Sequence, residues 1–179
     1  FYNTTNSQFY TRTHSHCATC PTAGQPGLFG QAVQFDGIND ALTIPYVPTT
    51  TLSAFSAATW FNVTDLAMAR TLLHQEDGGG NGRSWLWLDG STGTLNTSLG
   101  GSVLASSRTV ATGEWTHAAM TYDGESVRLY LNGRLEASQT HTLTSTTGNW
   151  LLGVDKSGSN RFLGLMDAFN LYDGALAPE

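Results

Sequence analysis

Four residues near the start of the chain, His14, His16, Cys17 and Cys20, are the first whose types and spacing could do chemistry. Two imidazoles and two thiols could hold a tetrahedral zinc ion. The His-x-His-Cys spacing is cramped for that geometry. Cys-x-x-Cys also serves redox enzymes, but there it opens a helix of a βαβ unit, and no such unit is legible here. The pattern favours a disulfide between Cys17 and Cys20 that staples its segment in an oxidising compartment. Zinc ligation and free thiols remain the alternatives.

A second group surrounds two tryptophans. Trp85 and Trp87 stand two apart, so on a strand their side chains leave one face, while Leu86 and Leu88 leave the other. If the leucines take the core, the two indoles form an outer platform suited to stacking on sugar rings. His74, Glu76, Asp77, Asn81 and Arg83 lie in the adjoining strand and loop and can hydrogen-bond hydroxyls. The run Gly78-Gly79-Gly80 lets that loop adapt its shape. These seven residues are the candidate ligand-binding set. The competing reading buries the tryptophan face and covers the leucine face too. Trp60, Trp115 and His117 are expected in the core or at its edge.

Acid–base catalysis finds little support. Glutamate occurs only at positions 76, 114, 125, 136 and 179. Glu76 and Asp77 are adjacent and on a strand would face opposite ways. Retaining glycoside hydrolysis needs two carboxyls about 5 Å apart on one face. No Gly-x-Ser-x-Gly nucleophile motif occurs either. The chain reads as non-catalytic, with no catalytic residues to assign.

The elements that must position these groups are strands. Trp115 to Tyr122 is apolar and β-prone, and Asp123-Gly124 follows as a turn. Val127, Leu129 and Leu131 alternate with Arg128, Tyr130 and Asn132, giving one apolar and one polar face. Asn132-Gly133 is a strong hairpin signal, and the chain folds back over 135–138. The pattern continues on both sides through about twelve strands, and no long segment keeps a helical period. Two packed antiparallel sheets follow, because each strand has an apolar face to cover. Residues 1–29 differ: they hold both cysteines and several Gly and Pro breakers. They are expected to form an irregular arm, opening with a short edge strand, packed on a single domain spanning 30–179. Sequons at Asn3, Asn62 and Asn96 are expected by chance in a chain so rich in Ser and Thr.

The bulk numbers exclude whole classes of partner. The 179 residues carry a net charge of −6, only 12% are charged, and Lys156 is the single lysine. Nucleic acid needs a basic footprint, which is missing, and an anionic membrane surface would repel the chain. No apolar run approaches the ~20 residues that span a bilayer. The chain begins without an initiator Met or a signal peptide and is expected to be a domain cut from a longer chain; the module is expected to be monomeric. The low charge fits a secreted or cell-surface protein.

Three segments carry a resemblance. They are Gly113-x-Trp-Thr-His-x-Ala-x-Thr-Tyr-Asp-Gly124 with Val127-x-Leu-Tyr-x-Asn-Gly133; Phe29-Gly-x-Ala-Val-x-Phe-Asp-Gly-x-Asn-Asp40; and Gly164-Leu-Met-Asp-Ala-Phe-Asn-Leu-Tyr-Asp-Gly-Ala-Leu176. Together they resemble the laminin-G-like jelly rolls of the concanavalin A-like lectin and glucanase superfamily, over residues 28–179. The departure is Ala41-Leu42, where relatives often place an aromatic. The resemblance implies an all-β fold, an antiparallel sandwich of the concanavalin A-like jelly-roll type, whose last strand runs close to its first. It also implies a structural Ca2+ held by Asp36, Gly37, Asp40 and Asp167, since a hard cation takes carboxylate and carbonyl oxygens. The alternative is that these aspartates cap turns and bond backbone amides. The superfamily's glucanases place acids as Glu-x-Asp-x-Glu on one strand, a run absent here. The expected function is therefore a non-catalytic carbohydrate-recognition or adhesion module for a glycan or polysaccharide. The alternatives are a module that binds a protein receptor or acts as a spacer, and, less favoured, a hydrolase or lyase.

Overall fold

The computed structural model describes residues 7–8, 19–44, 54–76, 82–142 and 148–177. Among them fourteen strands and no helix occur. In chain order they are β1 (Ser7–Gln8), β2 (Thr22–Gly27), β3 (Gly30–Asp36), β4 (Leu42–Ile44), β5 (Phe55–Val63), β6 (Arg70–Glu76) and β7 (Gly82–Leu88). The second half continues with β8 (Thr94–Ser98), β9 (Val103–Thr109), β10 (Trp115–Tyr122), β11 (Ser126–Leu131), β12 (Arg134–Thr140), β13 (Trp150–Leu152) and β14 (Leu163–Tyr172).

The strands form two antiparallel sheets. The larger runs β12-β11-β10-β5-β14-β3-β2, with β1 attached to β14, and the smaller runs β4-β13-β6-β7-β8-β9. Alternation explains the packing. Val127, Leu129 and Leu131 all point between the sheets, as do Phe61, Val63, Ala118 and Met120. Phe162 closes the core against Phe35 and Phe61, with ring centroids 5.9 and 6.4 Å away. The last strand lies between β5 and β3, with Leu163 opposite Asp36, so the end of the domain is zipped to its beginning.

The turns that the sequence marks are built as their residues dictate. Asn132 and Gly133 both take positive φ, 50° and 77°, the pair that a type I′ hairpin requires. The Asn132 amide oxygen accepts the His117 backbone N–H at 2.8 Å, and the Asn132 N–H donates to the His117 carbonyl at 2.9 Å. The hairpin tip thus fixes a position on β10. On the open side of the sandwich, Glu136 of β12 joins Ser107 and Arg108 of β9, so the edge strands of the two sheets are latched together.

The expectation of an irregular arm over 1–29 needs correction for its described part. Residues 22–27 form β2, the edge strand of the large sheet, despite Gly24, Pro26 and Gly27. A register shift between Ala23 and Gln25 absorbs Gly24 as a bulge. Pro26 is tolerated because an edge strand has one side free of ladder bonds. Cys17, with His14 and His16, lies outside the described residues.

Candidate functional site

The loop and tryptophan set is positioned differently from the expectation that both indoles share an outer face. The β6–β7 ladder shifts register twice: Thr71 pairs with Trp87, Leu73 with Leu86, and His74 with Ser84. Leu72 and Trp85 are therefore extra residues in their strands. A bulge breaks the alternation of sides, so Trp85 and its neighbour Leu86 both turn into the core. Trp85 is 2% exposed, donates its indole N–H to Gln75 Oε1 at 3.1 Å, and packs edge-on against Phe55 at 4.9 Å. Past the bulge the parity is restored, and Trp87 stands half-buried beside Asn96 of β8.

The polar members of the set are also drawn inward. His74 is 5% exposed, with Nδ1 3.1 Å from Ser84 Oγ. The Arg83 guanidinium lies 5.0 Å from the centre of the Trp85 ring, and burial pushes its pKa down. Glu76 is half-buried; Asp77 and Asn81 lie outside the described residues. Arg83 and Trp85 meet, but inside the end of the sandwich rather than on an open platform.

The four residues expected to hold Ca2+ are not brought into one cage. Asp36 Oδ1 accepts the backbone N–H groups of Ile38, Asn39 and Asp40, which hold its carboxyl below the usual range. Asp40 Oδ2 accepts the Asp36 N–H at 2.8 Å. Both aspartates thus cap the turn around Gly37. Asp167 is engaged elsewhere, with Oδ2 accepting the Phe29 N–H at 2.8 Å. Among the described residues no three His, Cys, Asp or Glu side chains gather as a metal cluster. The donor set as placed does not fit the ion.

A different group of aromatic residues stands outward, on the large sheet. On β5, Phe61 and Val63 point into the core, so Trp60 and Asn62 point out. On β10, Thr116, Ala118 and Met120 point in, leaving Trp115, His117 and Ala119 outside. Register places His117 beside Trp60, and Trp60 beside Asp167 of β14. The Trp60 and His117 rings lie 5.1 Å apart at 50°. Phe29, from the turn between β2 and β3, reaches the same spot, 6.0 Å from Trp60 at 71°, and is 65% exposed. Burial lowers the His117 pKa below the ordinary imidazole value and so disfavours its charged form.

Backbone constraints hold this group in place. A Cβ on Gly27 would fall 2.7 Å from Asp167 Oδ2 and 2.8 Å from the Ala32 nitrogen, so only glycine lets the Phe29 turn lie this close. Between Asp167 and Asn170 the β14 ladder is interrupted, with Ala168 at φ 48°. That is a strained conformation for alanine, and such bulges re-aim neighbouring side chains. The opposite end of the face is covered by the chain at 174–176, where Ser56 Oγ donates to the Gly174 carbonyl and accepts the Leu176 N–H. Trp60 and His117 were expected in or beside the core, and Phe29 was assigned to no site. The available signal was that Trp60 and Asn62 have opposite parity to Phe61 and Val63.

The family model Laminin_G_3, of the concanavalin A-like lectin/glucanases superfamily, matches residues 36–179. No curated protein sequence matches the chain. Among solved structures, domain 4 of AbnA, a GH43 extracellular arabinanase from Geobacillus stearothermophilus solved in complex with arabinotriose, is similar at a TM-score of 0.72 and 23% identity, covering 90% of this chain and 79% of that one. A Bacteroides ovatus protein to which carbohydrate binding is ascribed has a TM-score of 0.66 and 21% identity, over 82% of this chain and 44% of that one. Trypanosoma rangeli sialidase has a TM-score of 0.66 and 13% identity over 82% of this chain, which spans about a quarter (26%) of the sialidase. At these identities the likeness is one of fold.

Proposed function

Because the chain belongs to the Laminin_G_3 family of the concanavalin A-like lectin/glucanases superfamily, we propose that it is a carbohydrate-recognition module whose sugar-binding surface is the cluster of Phe29, Trp60 and His117. The observation that carries this reading is an exposed aromatic ring, Phe29, seated against Trp60, whose ring in turn meets His117 on an outward sheet face. Sugar rings offer C–H faces to such a platform and hydroxyls to nearby acceptors. Asn62 lies on the same outward face of β5 and offers its amide oxygen for contacts of that kind, while the buried Asp167 holds the Phe29 turn against Trp60. The likeness to an arabinotriose-bound domain and to a Bacteroides protein with ascribed carbohydrate binding supports the same class. The role is non-catalytic. The module is carried in a longer secreted or surface protein, a reading supported by the extracellular arabinanase domain.

A glycan-array screen followed by calorimetry tests this. Trp60→Ala and Phe29→Ala are expected to weaken the best-bound glycan at least about tenfold, equivalent to about 1.4 kcal/mol. Wild-type affinity in both folded variants would place sugar binding elsewhere on the molecule.

A further inference from the structure

The exposed ring of the cluster has little to hold it but its backbone. Phe29 is 65% exposed and meets Trp60 edge-on at 6.0 Å. Gly27 pairs with Gly30, so Leu28 and Phe29 form the whole turn between β2 and β3. Neither takes the positive φ of the usual two-residue hairpin; Gly30 takes it instead, at 91°. Phe29 belongs to neither strand, so its N–H has no place in the β2–β3 ladder.

A residue of the last strand takes up that N–H. Asp167 Oδ2 accepts it at 2.8 Å, across 138 positions of sequence. Asp167 is itself fixed. It lies opposite Trp60 in the β5–β14 ladder, its carbonyl accepts the Thr59 hydroxyl at 3.2 Å, and it is 8% exposed. Its carboxyl therefore sits against the turn rather than on the open face. The contact also needs the glycine before the turn. A Cβ on Gly27 would fall 2.7 Å from the same Oδ2. What the turn requires at that point is an acceptor oxygen, which a carboxyl in either protonation state and an asparagine amide all have. A turn fixed in this way spares a bound sugar the cost of ordering it.

We infer that Asp167 is a positioning residue of this surface: it clamps the Phe29 turn so that the ring stands against Trp60 before a ligand arrives, and Gly27 admits the clamp. The inference rests on the carbohydrate-binding reading above and adds two residues on which affinity depends without contact with the ligand.

The experiment uses the whole chain, its Asp167→Ala, Asp167→Asn, Gly27→Ala and Phe29→Ala variants, and the Asp167→Ala/Phe29→Ala double variant. Nuclear magnetic resonance follows the Trp60 indole N–H signal, which feels the ring current of Phe29, and the hydrogen exchange of the Phe29 amide. Calorimetry is run with arabino-, xylo-, gluco-, manno- and galacto-oligosaccharides. Asp167→Ala and Gly27→Ala are expected to move the Trp60 signal towards its position in Phe29→Ala and to weaken the best-bound oligosaccharide at least about tenfold. Asp167→Ala is also expected to speed exchange of the Phe29 amide. Asp167→Asn is expected to keep the signal, the slow exchange and the affinity of the wild type. The double variant is expected to bind no more weakly than Phe29→Ala alone, because Asp167 acts through that ring. If Asp167→Ala does not fold, Gly27→Ala decides in its place. Wild-type affinity in a folded Asp167→Ala or Gly27→Ala variant, or a further loss in the double variant, overturns the inference; weakened binding in Phe29→Ala then leaves the sugar-binding reading standing. Binding of no oligosaccharide by the wild type overturns both.

Discussion

Glu136 provides a sharp test of how the two sheets are joined. Its side chain is shielded from solvent although β12 is an edge strand. Oε2 accepts the Ser107 hydroxyl at 2.7 Å and the Arg108 N–H at 3.1 Å; Oε1 accepts Arg108 Nε at 2.8 Å and Nη2 at 2.5 Å. Four donors on β9 therefore converge on one carboxylate of β12. Breaking a buried pair of this kind costs about 3–5 kcal/mol, whereas exposed pairs contribute about 0.2–1. Here the Arg108 side chain is 47% exposed, so water can replace the partner it loses. The cost of Glu136→Ala should fall between these ranges, at about 2 kcal/mol. For a chain of this length that is a drop of about 4–8 °C in Tm. The Arg108 contacts hold the Glu136 carboxyl below its usual range. Its stabilisation is thus fully present above the unfolded pKa, about 4.3, and is lost as pH falls through the lower folded value. Thermal melts of wild type and variant should differ most near pH 6 and converge as pH falls below the unfolded pKa. A Tm for Glu136→Ala within about 1 °C of wild type at pH 6 would refute the latch.

Two further outcomes follow from where the structure puts residues expected to bind ligands. Trp85→Ala is expected to cost about 3–5 kcal/mol of stability, as emptying a large aromatic from a core does, while the half-buried Trp87→Ala costs less; chemical denaturation separates them, and equal small losses would put Trp85 outside the core. Treatment with EDTA is expected to leave the melting curve unchanged, because Asp36 and Asp40 are already occupied by backbone donors; a Tm that falls with EDTA and recovers with Ca2+ would show a bound ion.

What the sequence made legible was local. The Asn132-Gly133 hairpin, the Asp36 turn and the alternation of β11 each depend on a few consecutive residues, and each is built as those residues require. Trp85 was not legible, because its orientation is a property of two strands counted against each other. The sequence Trp-Leu-Trp-Leu has a clean period of two, and only the double register shift against β6 turns Trp85 inward. The outward cluster was hidden for a related reason. β5 lies in the middle of the large sheet, and even its outward residues Ser56 and Ala58 are buried, so the strand reads as apolar on both faces. Nothing in its composition separates Trp60 from the core residues around it. Phe29 is further from reach, since the bond that holds its turn joins it to a residue 138 positions later. The candidate site is therefore a product of register. β10, β5 and β14 set His117, Trp60 and Asp167 side by side, and the β2–β3 turn brings Phe29 onto them. Sequence motifs specify the hairpins and turns that set this register and contain Phe29, His117 and Asp167, but Trp60, at the centre of the cluster, lies outside them, and no motif by itself shows that the four residues meet.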